Sequence, residues 1–167
     1  MKTLYVIRHA KSSWDDHALP DFDRPLNERG KRDAPAMGKR LKEKSVHPSL
    51  MYSSPAKRAL STAKRIADVL GYERDKIKTD RRLYHADSEM IFSVLKELKN
   101  KHDTVLIFGH NPGLTDFVNA MQNEKMFIDN VPTCGVVAFS VAIDDWSDLR
   151  TKSGTMLFFD YPKNKES

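Results

Sequence analysis

The sequence predicts a three-layer α/β/α sandwich with a mostly parallel central sheet. Two unbroken apolar runs, Leu4–Ile7 and Val105–Phe108, read as strands covered on both faces, as buried parallel strands are. Strand-like and helix-like segments alternate along the chain, the order that builds such a sheet. Both apolar runs also lead into a histidine, His9 and His110, at the carboxyl edge where open α/β sheets hold ligands.

The elements follow in order. After the first strand, Lys11 to Leu26 is polar and irregular, with Trp14, His17, Pro20 and Pro25, and reads as a functional loop over the strand end. Asn27 offers an N-cap for a helix running to about Lys44, with Glu28 in its first turn. Pro35 should kink that helix, since it cannot donate to the carbonyl of Lys31. Ser49–Ser53 reads as the second strand. Ser54 followed by Pro55 signals a helix start, and Leu60, Ala63, Ala67 and Leu70 share one face of that helix. Gly71 closes it, and Lys76–Thr79 is a short third strand.

Leu83-Tyr84-His85-Ala86-Asp87 precedes a helix whose Ile91, Val94, Leu95 and Leu98 form a core stripe, capped by Asp87 or Ser88. Thr104–Phe108 is the second buried strand. Asn111 caps and Pro112 opens the following helix, with Leu114, Phe117, Val118 and Met121 on one face. Val136–Ile143 and Thr155–Tyr161 pair as a hairpin around 144–153. Residues 1–162 are expected to form a single domain, and 163–167 a frayed tail.

Composition narrows the function classes. A chain of 167 residues with 40% hydrophobic and 31% charged residues is an ordinary water-soluble domain with a real core. No stretch approaches the roughly 20 apolar residues of a membrane span, and the start shows no leader peptide. Cys134 is the only cysteine, so no internal disulfide forms; it reads as a small buried residue, and a cytoplasmic setting follows. The net charge of +5 suits an anionic partner. Much of it lies in Arg29–Lys44, the solvated face of a helix, and no nucleic-acid motif accompanies it.

If both apolar strands are central, Arg8, His9, Arg58 and His110 converge at one sheet edge. Two guanidinium forks and two imidazoles beside a helix start suit a tetrahedral dianion. No carboxylate cluster indicates magnesium, and flanking arginines would repel zinc, so no metal or other cofactor is expected. The chemistry that fits is phosphoryl transfer onto a histidine, followed by hydrolysis of the phosphohistidine.

Leu4–Ala10, Ser53–Ala59 and Gly109–Gly113 resemble, in order and spacing, the motifs of the histidine phosphatase superfamily, also called phosphoglycerate mutase-like. Asp23–Gly30 resembles the segment after its first loop. The resemblance implies that His9 is the phosphorylated nucleophile and that Arg8, Arg58 and His110 bind the phosphoryl group. Within the family the chain most resembles the small SixA-type phosphohistidine phosphatases, which lack a cap. Two departures stand out. Ala10 replaces the usual glycine, so a positive φ there would be costly. The general-acid glutamate has no evident match. Asp87 is the nearest carboxylate by position, with Glu89, Asp15 and Asp16 behind it, although capping alone explains Asp87.

The expected substrate is a phosphorylated protein, phosphohistidine first, or a small phosphorylated compound. No nucleic acid or membrane partner is expected, and the oligomeric state is not legible. The alternatives are a small-metabolite phosphomonoesterase and a non-catalytic module that binds phosphoryl groups or RNA. A mutase fits less well, because guarding the intermediate from water takes a closed site.

Overall fold

The computed structural model describes residues 1–165, and its architecture is the expected sandwich. Six strands, β1 (Lys2–Arg8), β2 (Leu50–Ser53), β3 (Lys78–Thr79), β4 (Thr104–Gly109), β5 (Val136–Val141) and β6 (Gly154–Asp160), lie in the order β3-β2-β4-β1-β5-β6. The first four in that order are mutually parallel; β5 runs antiparallel to both β1 and β6. Four helices cover the faces: α1 (Glu28–Glu43), α2 (Lys57–Leu70), α3 (Ser88–Lys96) and α4 (Gly113–Met121).

The two-residue period of β1 decides which core each side chain joins. Leu4 and Val6 face one way and pack with Val105, Ile107, Leu95 and Phe117, the α3–α4 side. Tyr5 and Ile7 face the other way, against Met37, Leu41, Ile66 and Phe108, the α1–α2 side. Strands buried on both faces leave no room for polar alternation, hence the unbroken runs. Each such side chain taken out of water contributes about 1.5–3 kcal/mol.

Helix ends hold several differences from expectation. Asn27 caps α1 by accepting from Gly30 N–H at 2.8 Å, and Pro35 lies inside an unbroken helix. Ser54 is not the cap of α2, which starts two residues later after Ala56; the serine hydroxyl is turned to another partner. Asp87 caps α3, accepting from Met90 N–H at 2.9 Å. α4 begins at Gly113, with Asn111 Oδ1 accepting from Thr115 N–H at 3.1 Å. The strand expected from Lys76 shrinks to Lys78–Thr79, because Arg74–Lys76 form a 3-10 turn. Cys134 is wholly buried, and burial pushes its thiol pKa up, far from nucleophilic use. Of the expected tail, Asn164 is tied back, its Nδ2 donating to Asp160 Oδ1 at 3.1 Å; Glu166 and Ser167 lie outside the described residues.

Candidate active site

Register explains why the two histidines meet. Arg8 pairs with Gly109 across the parallel β1–β4 ladder, so the next residues, His9 and His110, leave the sheet side by side. Their ring centroids are 5.2 Å apart. β2 brings the third contribution: Ser53 pairs with Phe108, and α2 then presents buried Arg58 in its first turn. Thr62 stitches these pieces together. Its hydroxyl donates to the Arg58 carbonyl at 2.8 Å and accepts from Ala10 N–H at 2.9 Å. Arg8, His9, Arg58 and His110 thus line one cavity of about 170 Å³, as the sequence predicts. Ala10 is fully buried, and it is not among the described non-glycine residues with positive φ, so alanine fits there without backbone strain.

Hydrogen bonds assign the ring nitrogens. The Ala10 carbonyl can only accept, so His9 Nδ1 carries the proton and donates to it at 2.7 Å. The lone pair is left on Nε2. Ser54 Oγ lies 2.8 Å from His110 Nε2 and accepts from Ala56 N–H at 3.2 Å. The buried serine hydroxyl has no other acceptor among the described residues, so it donates its proton to Nε2, and His110 Nδ1 carries the ring proton. That Nδ1 and Arg8 Nε are buried without a partner. Buried orphan donors are costly, and two beside one cationic cavity are what an oxyanion satisfies.

A carboxylate that sequence reasoning passed over organises the arginines. Asp21 sits in a 3-10 turn (Asp21–Asp23) of the first loop. Arg58 donates through one terminal nitrogen to the Asp21 carbonyl at 2.7 Å and through the other to its Oδ2 at 3.0 Å. Arg24 donates to Oδ1 at 3.0 Å, and Tyr84 Oη to Oδ2 at 2.6 Å. Trp14 lies across the Arg24 guanidinium, 3.2 Å from it to the ring centroid. Burial alone would raise the Asp21 pKa, but the bonds from Tyr84, Arg24 and Arg58 hold it well below the usual range. It stays ionised. The signal that could have found it was the Asp21–Arg24 stretch, three charged residues held between Pro20 and Pro25.

The proposed acids fall elsewhere. Asp87 is committed to its cap, worth about 1 kcal/mol to α3. Asp15, Asp16 and Glu89 are exposed, and none of the four lines the cavity. The residue of that segment that does line it is His85. Gly113 makes this possible: a Cβ there would stand 1.8 Å from the Ala86 carbonyl oxygen, so only glycine lets the Tyr84–Asp87 segment lie against the start of α4.

Burial, reinforced by Arg58, Arg8 and Arg24 and opposed by the Ala10 bond, lowers the His9 pKa to about 4. Burial, then His9 and Arg58, lower that of His110 to about 3. Both rings are therefore neutral at pH 7, the state a nucleophile needs. Histidine-resolved NMR titration of the free protein is expected to find both mostly neutral at about pH 5. Stability should fall as pH drops from 6.5 toward 4, because unfolded histidines take up protons that the folded ones refuse. A native-state titration of either ring near 6.5 would remove this description.

A phosphatase, an α/β enzyme that hydrolyses a phosphoryl group, is the class that this fold and cationic cavity define. The chain belongs to the histidine phosphatase superfamily, branch 1, whose family model matches residues 4–90. An uncharacterised protein of Mycobacterium leprae is 29% identical over 168 residues, covering 94% of this chain and 100% of that one. The structure of the protein histidine phosphatase SixA with tungstate superposes with a TM-score of 0.80 at 22% identity, over 96% of this chain and 97% of that one. The VO3 complex of mycobacterial glucosyl-3-phosphoglycerate phosphatase gives 0.71 at 16% identity, over 96% and 100%. At these identities the two structures speak for the fold, phosphoglycerate mutase-like as the sequence implies.

Proposed function

We propose that residues 1–162 work as one domain, a metal-independent phosphatase that passes the phosphoryl group through His9 and removes it from phosphohistidine on proteins. The carrying observation is the His9 Nε2 lone pair, fixed by the Nδ1–Ala10 bond, beside Arg8, Arg58 and His110. Nε2 attacks phosphorus in line, and the bond to the leaving group breaks with its electron pair. The imidazolium that forms keeps its Nδ1 proton on the Ala10 carbonyl. The guanidinium groups and His110 Nδ1–H take the equatorial oxygens. Water then attacks phosphorus, Nε2 departs, and phosphate is released. The positive charge that a metal would supply comes here from arginine. The lone, buried Cys134 favours a reducing, cytosolic setting.

Two features favour a protein substrate. The cavity opens to solvent past exposed side chains, Trp14 and His85, with no described segment closed over its mouth. A donor projecting from another protein suits that opening. No carboxylate among the described residues lines the cavity. A departing imidazole, of unperturbed pKa near ~6.5, needs far less help than an alkoxide.

The experiment compares kcat/KM for a phosphohistidine-bearing protein, an aryl monoester and an alkyl monoester, all in chelator. General-acid assistance is worth about 10²–10⁴-fold, so the alkyl ester should trail the phosphohistidine protein by at least about 10². An alkyl phosphate turned over best would replace this reading with a metabolite phosphatase. Activity abolished by chelator would remove metal independence.

A further inference from the structure

We propose that His85 is the catalytic acid of this site, delivering the proton to the leaving group as His9 takes the phosphoryl group. The inference rests on the histidine mechanism above and adds the residue that mechanism lacks.

Placement is the first argument. His9 is 7% exposed at the cavity floor, whereas the His85 side chain is 63% exposed at its mouth. In-line displacement puts the leaving atom opposite the nucleophile, on the mouth side. The His85 and His110 ring centroids are 6.3 Å apart, so His85 flanks the phosphoryl-binding group without being buried by it.

Its surroundings are the second. His85 holds φ at +59°, a left-handed conformation that costs a non-glycine residue energy and collects at functional positions. Its ring stacks on Tyr84 at 3.9 Å, and Tyr84 in turn donates to Asp21. Nε2 lies 3.7 Å from Asp21 Oδ2, so protonation at that nitrogen meets a fixed carboxylate. The charged and titratable groups that share its cavity or touch it are Asp21, Lys11 and Arg24 from the first loop, Arg8 and His9 at the end of β1, Arg58 from α2, His110 after β4 and its own neighbour Tyr84. Its exposure leaves the ring within reach of the water that attacks in the second step.

The chemistry balances. The leaving nitrogen or oxygen takes the bonding pair and the His85 proton together; neutral His85 then removes a proton from the water that attacks phosphohistidine, restoring the imidazolium.

The test uses aryl phosphates that differ in leaving-group basicity. His85→Asn suits the backbone, since asparagine tolerates the left-handed region, yet it supplies no acid. Its kcat/KM is expected to fall about 10²–10³-fold on phenyl phosphate and by no more than about twofold on dinitrophenyl phosphate, whose leaving group needs no proton. The alkaline limb of the wild-type profile on phenyl phosphate should vanish. His85→Gly, which fits the same φ, should regain phenyl phosphate activity when imidazole is added. Equal losses on both esters, an unchanged phenyl phosphate rate, or no imidazole rescue would overturn the assignment while leaving His9 as nucleophile. Wild-type protein that forms no acid-labile phosphoenzyme from either ester would overturn the parent mechanism, and this inference with it.

Discussion

His9→Ala keeps its fold and loses turnover, with kcat expected to fall by at least about 10³-fold, the scale on which loss of a nucleophile is felt. The ring packs at a cavity floor rather than in either apolar core, so its removal costs little stability. It also removes a neutral imidazole from among three guanidinium groups, and nothing else at that position offers a lone pair. The direct measurement is a quench experiment: labelled substrate should leave acid-labile label on wild-type protein and none on the variant. Thermal unfolding run beside it separates lost chemistry from lost structure. Substantial residual activity in a folded variant would take His9 out of the mechanism.

Arg8→Lys is expected to cost about 10²–10³-fold in kcat/KM, although the charge is retained. Arg8 is held by a bond from one terminal nitrogen to the Val131 carbonyl at 3.1 Å, and its buried Nε has no partner. A lysine ammonium is a point charge on a flexible stem and cannot present a donor in that fixed direction. The melting temperature should move little. A lysine variant as active as wild type would mean that the site needs charge alone, and that the orphan Nε has no oxyanion to meet.

Much of this was legible before any coordinates. The unbroken runs at Leu4–Ile7 and Val105–Phe108 carry the information that two strands are buried on both faces. Parallel register then does the rest for His9 and His110, because residues at matching ends of adjacent strands must emerge together. Arg58 was readable for a similar local reason, a cation in the first turn of a helix after a strand. What stayed hidden depended on loop geometry. Asp21 lies 37 residues from Arg58, and no periodicity links them; only the fold of the first loop brings the carboxylate under the guanidinium. Ser54 was misread because serine before proline is a sound cap signal, and nothing local reveals that a histidine 56 residues on will compete for its hydroxyl. His85 and Asp87 are two residues apart, and only the fold of their segment against the start of α4, with its close approach at Gly113, puts the first in the cavity lining and leaves the second as a cap.

The Asp21 bridge has a consequence for how the enzyme rests and resets. Three guanidinium groups crowded into so small a hollow repel one another, and an empty cavity would have to splay them or trap a stray anion. The aspartate is a resident counter-ion. With it ionised and both histidines neutral, Arg8, Arg24 and Arg58 leave two positive charges uncompensated. Lys11, which lines the same cavity, adds a further charge. The aspartate therefore lowers the pull on a phosphate dianion without cancelling it, holds the arginines in place while the cavity is empty, and weakens the grip on the inorganic phosphate that the site makes.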